Sequence, residues 1–564
     1  MSESLQTIEA LINHGRFLEA RSKGQAFADS DNLRVKQLYA LALSKSGAPE
    51  AARDYLEPVY KENPDDPETA GILGSIYKEL FKKNQQTTFA LKSRDTYLSN
   101  FLKTKSYYTG INAASMSAMV MQNVKGKELA REIIASIEPN TKDFWELATL
   151  GEAYLLLKDK DKSVEYYLNA RNIAGTDWGK VTSVHNQLWL LNHYIPVSKD
   201  VQRIFSPPEV VAFAGHMIDA PGRATPRFPA SIESKVKDAI KAAIRTMHAS
   251  IGYCSLACGA DILFAEAMAE EGGEVVVLMP FEKSDFVNTS LRFAGEEWIV
   301  RFEKLAAQFP VSYISQDNYG RNDDLFSLLG KAVFGSAVLR SQMYHQEPSL
   351  LTVLSEFDLK RMEGGTRDTI QMWPYPQRHT NINPSVMFHA AEIQPTSSAS
   401  DQPALAVITN RPVLYMASIE LSGVLPMEKE RIEKLIKTIA EEQQFSFKVF
   451  SVKDSSVTLA LDTEIALMDV LRSIWNSTAP FKPVKPIRIG LHAAPVYLNM
   501  IDEDVNMSNL KAITQFAAMG SICATMGFAS IIALHPKKFQ LDYIGMIQFD
   551  ETESSSLYQV KFLA

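Results

Sequence analysis

Cysteine is scarce in this chain: Cys254, Cys258 and Cys523 are the only three among 564 residues. A set this sparse, and odd in number, excludes a disulfide framework and fits a reducing compartment. Cys254 and Cys258 stand four apart with no second pair and no histidine cluster nearby. They read as small buried residues, not zinc ligands, so no metal site is expected. An excess of basic charge is also missing. The net charge is -8, with both signs mixed along the chain, which argues against nucleic-acid binding as the main role. No uncharged run approaches the length that spans a bilayer. The opening residues, MSESLQTIEALINHG, lack the basic and apolar regions of a secretory signal. The chain is therefore expected to be cytoplasmic, with neither membrane nor nucleic acid as partner.

What is present is a multidomain protein, since 564 residues exceed one ordinary core. Residues 1–200 read as successive amphipathic helices, with alanine, leucine and tyrosine recurring at steps of three and four. A longer period overlies this one. Ala40 and Leu43 recur as Gly74 and Tyr77, a shift of 34 residues, and Phe144 to Ile173 repeats the same form. This resembles a tetratricopeptide repeat (TPR), whose helix pair buries its apolar face only by stacking on neighbours. The segment YYTGINAASMSAMV (Tyr107 to Val120) carries a closer likeness. It resembles the TRAF-binding helical-repeat region of apoptosis-signal-regulating kinases and their bacterial relatives, over roughly residues 30 to 195. Gly110 and Asn112 within it read as tight helix packing with a satisfied buried amide. Such repeats bind a protein partner or brace neighbouring domains.

Residues 207–375 change pattern. Five apolar runs, VVAFAG, IGYCSLA, EVVVLMP, VSYIS and LLTVLSE, alternate with amphipathic helices. That order predicts an α/β, Rossmann-like, doubly wound parallel sheet whose ligand sits beyond the carboxyl ends of its strands. Three glycine turns follow strands: Gly215-His216, with Arg223 and Arg227 shortly after; Gly259-Ala260-Asp261, opening a helix; and Gly364-Gly365-Thr366. Glycine lets backbone N–H groups approach a phosphate, a helix start adds a favourable dipole, and His216 and the two arginines supply donors. Structural turns need glycine too, but three at corresponding strand ends favour a nucleotide or phosphate. The set resembles the SLOG superfamily, which includes cytokinin-activating phosphoribohydrolases and nucleotide-sensing domains. In the hydrolases of that group a glutamate follows the threonine of the phosphate loop by three residues. Here that position is Thr369, with Asp368 before it, so the resemblance implies sensing, not hydrolysis.

Residues 376–406 are rich in proline, serine, threonine and asparagine and read as a linker. Residues 407–564 mix strands and helices. Within them IRIGLHAAPV, followed by DVNMSNLKAITQF, resembles a class III adenylate or guanylate cyclase domain, which implies an α+β, ferredoxin-like fold. Gly490, His492 and Val505-Asn506 fall on its motif. That chemistry needs two metal-binding carboxylates and an asparagine–arginine pair. Ser418 occupies the first carboxylate position, with Glu420 two residues on, and Asp454 is the counterpart of the second. Asn506 is present, but Leu510 takes the arginine position. Losing one such donor costs about 2.7–4 kcal/mol of transition-state stabilisation, so no catalytic residue is assigned. Asp454 and Asn506 read either as a residual nucleotide site or as loop and cap residues. The expectation is a homodimeric signalling protein: TPR-like repeats bind a partner, a SLOG-like domain senses a nucleotide, and a degenerate cyclase-like domain assembles it. An active cyclase with displaced residues, a nucleotide hydrolase, and a scaffold without ligands are the alternatives.

Overall fold

The computed structural model of the chain describes residues 2–223, 225–315, 318–320, 322–356, 366–388, 411–421, 430, 433–439, 447–453, 456–477, 487–498, 504–549 and 554–563. Gly364, Gly365 and Asp454 lie outside these residues, as does most of the stretch read as linker. The chain divides into two compact units, Met1–Pro207 with Tyr543–Gln548, and Pro208–Asp542 with Phe549–Ala564.

The first unit is helical: α1 (Ser2–Asn13), α2 (Phe17–Gln25), α3 (Leu33–Lys45), α4 (Pro49–Glu62), α5 (Pro67–Asn84), α6 (Thr87–Thr104), α7 (Tyr107–Met119), α8 (Asn123–Ser136), α9 (Phe144–Leu157), α10 (Lys160–Ala174), α11 (Trp178–Asn192) and α12 (Lys199–Ile204). Their starts are written locally. Asn32, Asp66, Asp143, Asp159 and Asp177 each accept a hydrogen bond from a first-turn N–H, which satisfies donors that the helix cannot. One packing device recurs. A Cβ on Gly74 of α5 would lie 2.5 Å from the Tyr97 ring of α6, and one on Gly151 of α9 would lie 2.6 Å from the Tyr167 ring of α10. In each pair a serine four residues before the tyrosine donates to that glycine's carbonyl: Ser93 at 2.8 Å and Ser163 at 2.9 Å. Glycine lets the helices close, and the serine uses a carbonyl that the ring would otherwise crowd.

Gly110 behaves as expected, with Phe101 2.7 Å from where its Cβ would stand. Asn112 does not. It is half-buried, and its amide donates to the Tyr108 carbonyl of its own helix at 2.9 Å, because it faces away from the packed side. The inner polar network lies elsewhere, on alternate helices. Lys78 (α5) donates to Gln187 (α11) at 2.6 Å, Gln187 donates to Glu152 (α9) at 2.7 Å, and Ser115 (α7) also bonds Glu152. Burial pushes the Lys78 ammonium down and the Glu152 carboxyl up.

The second unit holds one sheet entire and another of which only residues 543–548 are counted with the first unit. The first comprises β1 (Glu209–Gly215), β2 (Ala249–Cys254), β3 (Glu274–Met279), β4 (Val311–Tyr313), β5 (Ser349–Val353) and β6 (His379–Ile382), ordered β4-β3-β2-β1-β5-β6 with every pairing parallel. Helices α13 (Glu233–Met247), α14 (Ala260–Glu270), α15 (Lys283–Ser290), α16 (Glu296–Gln308), α17 (Asp324–Gln342) and α18 (Thr366–Gln371) accompany it. Val211 and Phe213 bury into a cluster with α13, α14 and α16, while Val210 and Ala212 bury into one with α17. Both faces are covered, which is why the strands read as continuous apolar runs. β6 was not among those runs. It falls inside the stretch read as linker, and His379–Ile382 pairs with β5 there. An edge strand needs little apolar character, so its polar sequence hid it.

The second sheet contains β7 (Val413–Glu420), β8 (Val449–Lys453), β9 (Ser456–Leu461), β10 (Arg488–Pro495), β11 (Ile522–Thr525), β12 (Phe539–Gln548) and β13 (Ser554–Phe562). Its order is β12-β13-β11-β10-β7-β9-β8. Helices α19 (Glu464–Ser477), α20 (Val505–Phe516) and α21 (Met526–Ala533) complete it, with residues 433–439 also helical. α17 serves both sheets: Leu329, Val333 and Val338 share one buried cluster with Val210 of the first sheet and Ile489 of the second. The closest approach is Gly335 of α17 against α21, where an added Cβ would lie 1.6 Å from the Ser530 carbonyl oxygen. Beside it Lys331 donates to Tyr415 and Glu464, both at 3.2 Å.

Gly335→Ala is expected to cost about 3 kcal/mol or more, since backbone must move to admit the methyl group. Gly527→Ala on α21, with nothing within 4 Å of its Cβ, should stay within ~0.5 kcal/mol of wild type. Urea titration of both variants checks this; equal losses would mean that the contact does not matter.

Candidate functional site

In the first sheet β1 runs on to β2 on one side, while β5 lies on the other side of β1. Chains leaving β1 and β5 therefore diverge, and in open parallel sheets such a divergence is where a ligand crevice forms, beyond the carboxyl ends of the strands. Gly215 ends β1. A Cβ there would meet the Ala260 Cβ at 2.5 Å. Gly259 has φ +101°, and its Cβ would meet the Ile218 nitrogen at 2.4 Å. Both glycines are thus needed by the fold itself. Three backbone bonds lace the turns together: His216 N–H to Val353 at 3.0 Å, Ala260 N–H to His216 at 3.0 Å and Ile218 N–H to Cys258 at 3.1 Å.

The polar groups around this crevice are buried. The His216 Nε2 accepts from the Ser355 N–H at 3.2 Å, so this nitrogen carries no proton. Burial pushes the Asp261 carboxyl up to about 7, against backbone hydrogen bonds from Ala257 and Gly215 that favour its charged form. The Ser255 hydroxyl, just past β2, is buried without a hydrogen-bond partner among the described residues. Asn381 fixes the exit of β5: its Oδ1 accepts from Leu354 N–H at 3.2 Å and from Thr352 at 2.8 Å, and its amide donates to the Leu354 carbonyl at 3.0 Å.

Of the residues expected at this site, Gly215, His216, Gly259, Ala260 and Asp261 come together. Arg223 is engaged on its own loop, with its Nε donating to the Thr225 carbonyl at 3.0 Å and lying 3.4 Å from Asp219. It lines a cleft of about 290 Å³ with Asp219, Glu233, Glu297 and Trp298. The backbone N–H of Arg227 is held by Asp219 at 2.8 Å. Thr366 is the first residue of α18, a helix of only six residues. Thr369 is buried against α17, its Oγ1 3.1 Å from where a Cβ of Gly330 would stand. Sequence reasoning missed Ser255, Ser355 and Asn381, because single polar residues after a strand leave no pattern; Asn381 alone had a signal, in the alternation of HTNI.

The second sheet places its motif residues in a packed interior. A Cβ on Gly490 would meet the Thr514 Oγ1 at 2.4 Å. His492 is buried with Nδ1 3.1 Å from the Thr525 hydroxyl and Nε2 3.5 Å from Asn506 Oδ1. Asn506 donates to the Pro495 carbonyl at 3.0 Å, and its own N–H is capped by Asp504 at 2.9 Å. Burial pushes the His492 imidazole down to about 4. Glu420 does not replace the carboxylate missing at the buried Ser418; it forms a two-armed ion pair with Arg488, both bonds 2.8 Å. Leu510 is fully buried with Leu414, Met416, Val449 and Val496.

These burials predict opposite pH responses. The folded value of Asp261 lies above its ordinary 3.8, so its burial costs nothing in acid. The cost grows as pH rises through about 7 and is full beyond it. Asp261→Asn should therefore raise stability by about 2–4 kcal/mol at pH 8 and leave it nearly unchanged at pH 4. His492 is held below its ordinary 6.5, so its cost is absent above that pH and grows as pH falls toward 4. His492→Gln should lessen acid destabilisation in that window. Denaturation at pH 4, 6 and 8 checks both, and pH-independent shifts would refute the assignments.

The family described as Tetratricopeptide Repeats-Sensor matches residues 16–117, which accords with TPR-like helical repeats at the N-terminus. No curated protein matches the chain. Among solved structures, the chain is similar to a thermophilic TPR protein of Thermus thermophilus at 14% identity, covering 33% of this chain and 98% of that one, with a TM-score of 0.28. MamA from Desulfovibrio magneticus RS-1 is similar at 16% identity over 31% and 90%, TM-score 0.20. Adenylate cyclases from Trypanosoma brucei in their monomeric state are similar at 8% identity over 29% and 92%, TM-score 0.21. At TM-scores this low none of these likenesses bears on function.

Proposed function

We propose that this chain is a nucleotide-responsive assembly protein. In this reading residues 1–200 engage a protein partner through their repeats. Residues 207–375 form a SLOG-like, Rossmann-like sensor, and residues 407–564 form a ferredoxin-like, catalytically degenerate cyclase-like domain that pairs two copies. The observation that carries it is the pair of glycine turns after β1 and β2, where His216 and Asp261 meet Gly215 and Gly259 and the Ser255 hydroxyl, just past β2, is buried without a partner among the described residues. An uncommitted hydroxyl and a carboxyl near neutrality suit a ribose or phosphate better than an apolar ligand. The description of the matching repeat family as a sensor agrees with this reading.

Catalysis is disfavoured on local grounds. Leu510 lies in an apolar cluster, where no developing phosphate charge is stabilised, and Glu420 is taken by Arg488. Thr369 packs against α17 and offers no acid to a glycosidic bond. Mass spectrometry of small molecules released on denaturing the purified chain tests the reading, and a nucleotide is expected. Calorimetry with that nucleotide should show His216→Ala and Ser255→Ala weakening binding about tenfold each, roughly 1.4 kcal/mol. No cyclic nucleotide should form from ATP or GTP with magnesium or manganese. Absence of any released or bound nucleotide, or unaltered affinity in both variants, would sink the proposal.

A further inference from the structure

The helical unit contains a second feature, away from any glycine turn. A cavity of about 430 Å³ opens among α7, α8, α9 and the connector from α11 to α12. Its floor is apolar, with Ala118, Leu156, Ile195 and Val201. Its rim carries Lys127, Lys158 and Lys160, and no acidic residue lines it. Lys160 is held by Asp200 at 2.6 Å. No ion pair engages Lys127 or Lys158 among the described residues. The turn is fixed closely beneath the rim, since a Cβ on Gly126 would lie 2.9 Å from the Ala114 carbonyl oxygen. At the rim α8 starts after Gln122, which caps it with no side-chain hydrogen bond.

An apolar floor beneath two uncommitted lysines selects a ligand that is apolar in the middle and anionic at its edges. The chain as a whole is acidic, at -8, so a local cationic rim is a departure from its background. The volume is within the range of preformed ligand pockets and admits large side chains. We propose that this cavity receives a peptide segment of a partner protein, in which leucine, isoleucine or phenylalanine is flanked by aspartate or glutamate. The apolar side chain would fill the floor, and its carboxylates would meet Lys127 and Lys158. This rests on the reading of the repeats as partner-binding elements and is independent of the nucleotide crevice.

A random octapeptide display library panned on the immobilised full chain is the test, followed by fluorescence anisotropy with labelled copies of the enriched peptides. Enriched sequences should pair acidic with apolar residues and bind saturably. The double variant Lys127→Glu, Lys158→Glu should weaken them at least tenfold. A control reversal elsewhere on the unit, Lys36→Glu with Lys45→Glu, should leave affinity within twofold. Circular dichroism melting of both variants establishes that each is folded, and Lys127→Ala with Lys158→Ala replaces any variant that is not. No enrichment, enriched peptides without acidic residues, or equal weakening by both reversals would each overturn the proposal. None of these outcomes depends on whether a nucleotide occupies the crevice of the second unit.

Discussion

The contact of Gly335 with the Ser530 backbone constrains the second unit more than any other. It is possible only because α17 has no side chain at that point, and it lets one helix lie against two sheets. α17 buries residues on every side, among them Leu328, Ala332, Phe334 and Val338, as a helix enclosed by apolar neighbours must. Without that approach the shared cluster of Val210, Val333 and Ile489 would split into two smaller cores. The Lys331–Glu464 pair then follows as a consequence. Burial by the packing around it would raise the Glu464 carboxyl, but the His535 side chain and the Lys331 ammonium together hold it at about 2. Such a pair adds little net stability but makes misregistered packing costly.

The helical unit solves a similar problem by repetition. Two close approaches pair a glycine with an aromatic ring, Tyr97 on Gly74 and Tyr167 on Gly151, and in both the serine bond to the glycine carbonyl fixes the depth of the ring. The buried chain from Lys78 through Gln187 to Glu152 links α5, α9 and α11. Local pair packing and a link across pairs thus act on different length scales, and a repeat array needs both to hold one curvature.

Much of the fold was legible because burial leaves a period. The 34-residue recurrence marked the helix pairs, and continuous apolar runs marked β1 to β5, whose two faces are both covered. β6 was lost because an edge strand of His379-Thr380-Asn381-Ile382 has no such need. The glycine turns were legible for a sound reason, since Gly215 and Gly259 admit no Cβ. The same reason limits what they say: the fold demands those glycines whether or not a ligand approaches. Arg223 illustrates the complementary failure. Charge is visible in a sequence but direction is not, and Asp219, four residues earlier, turns that guanidinium back to its own loop.

The second sheet shows how residues that look like a motif can be required by packing alone. Gly490, His492 and Asn506 are packing residues: the glycine admits Thr514, and the histidine and asparagine bond one another and their strand. The two positions at which the cyclase resemblance calls for charge are apolar or buried here, with Ser418 nearly sealed and Leu510 completing an apolar cluster. A leucine whose neighbours are Leu414, Met416 and Val496 cannot become arginine without burying an unpaired charge, which costs several kcal/mol. The packing at that position therefore fixes an apolar side chain there.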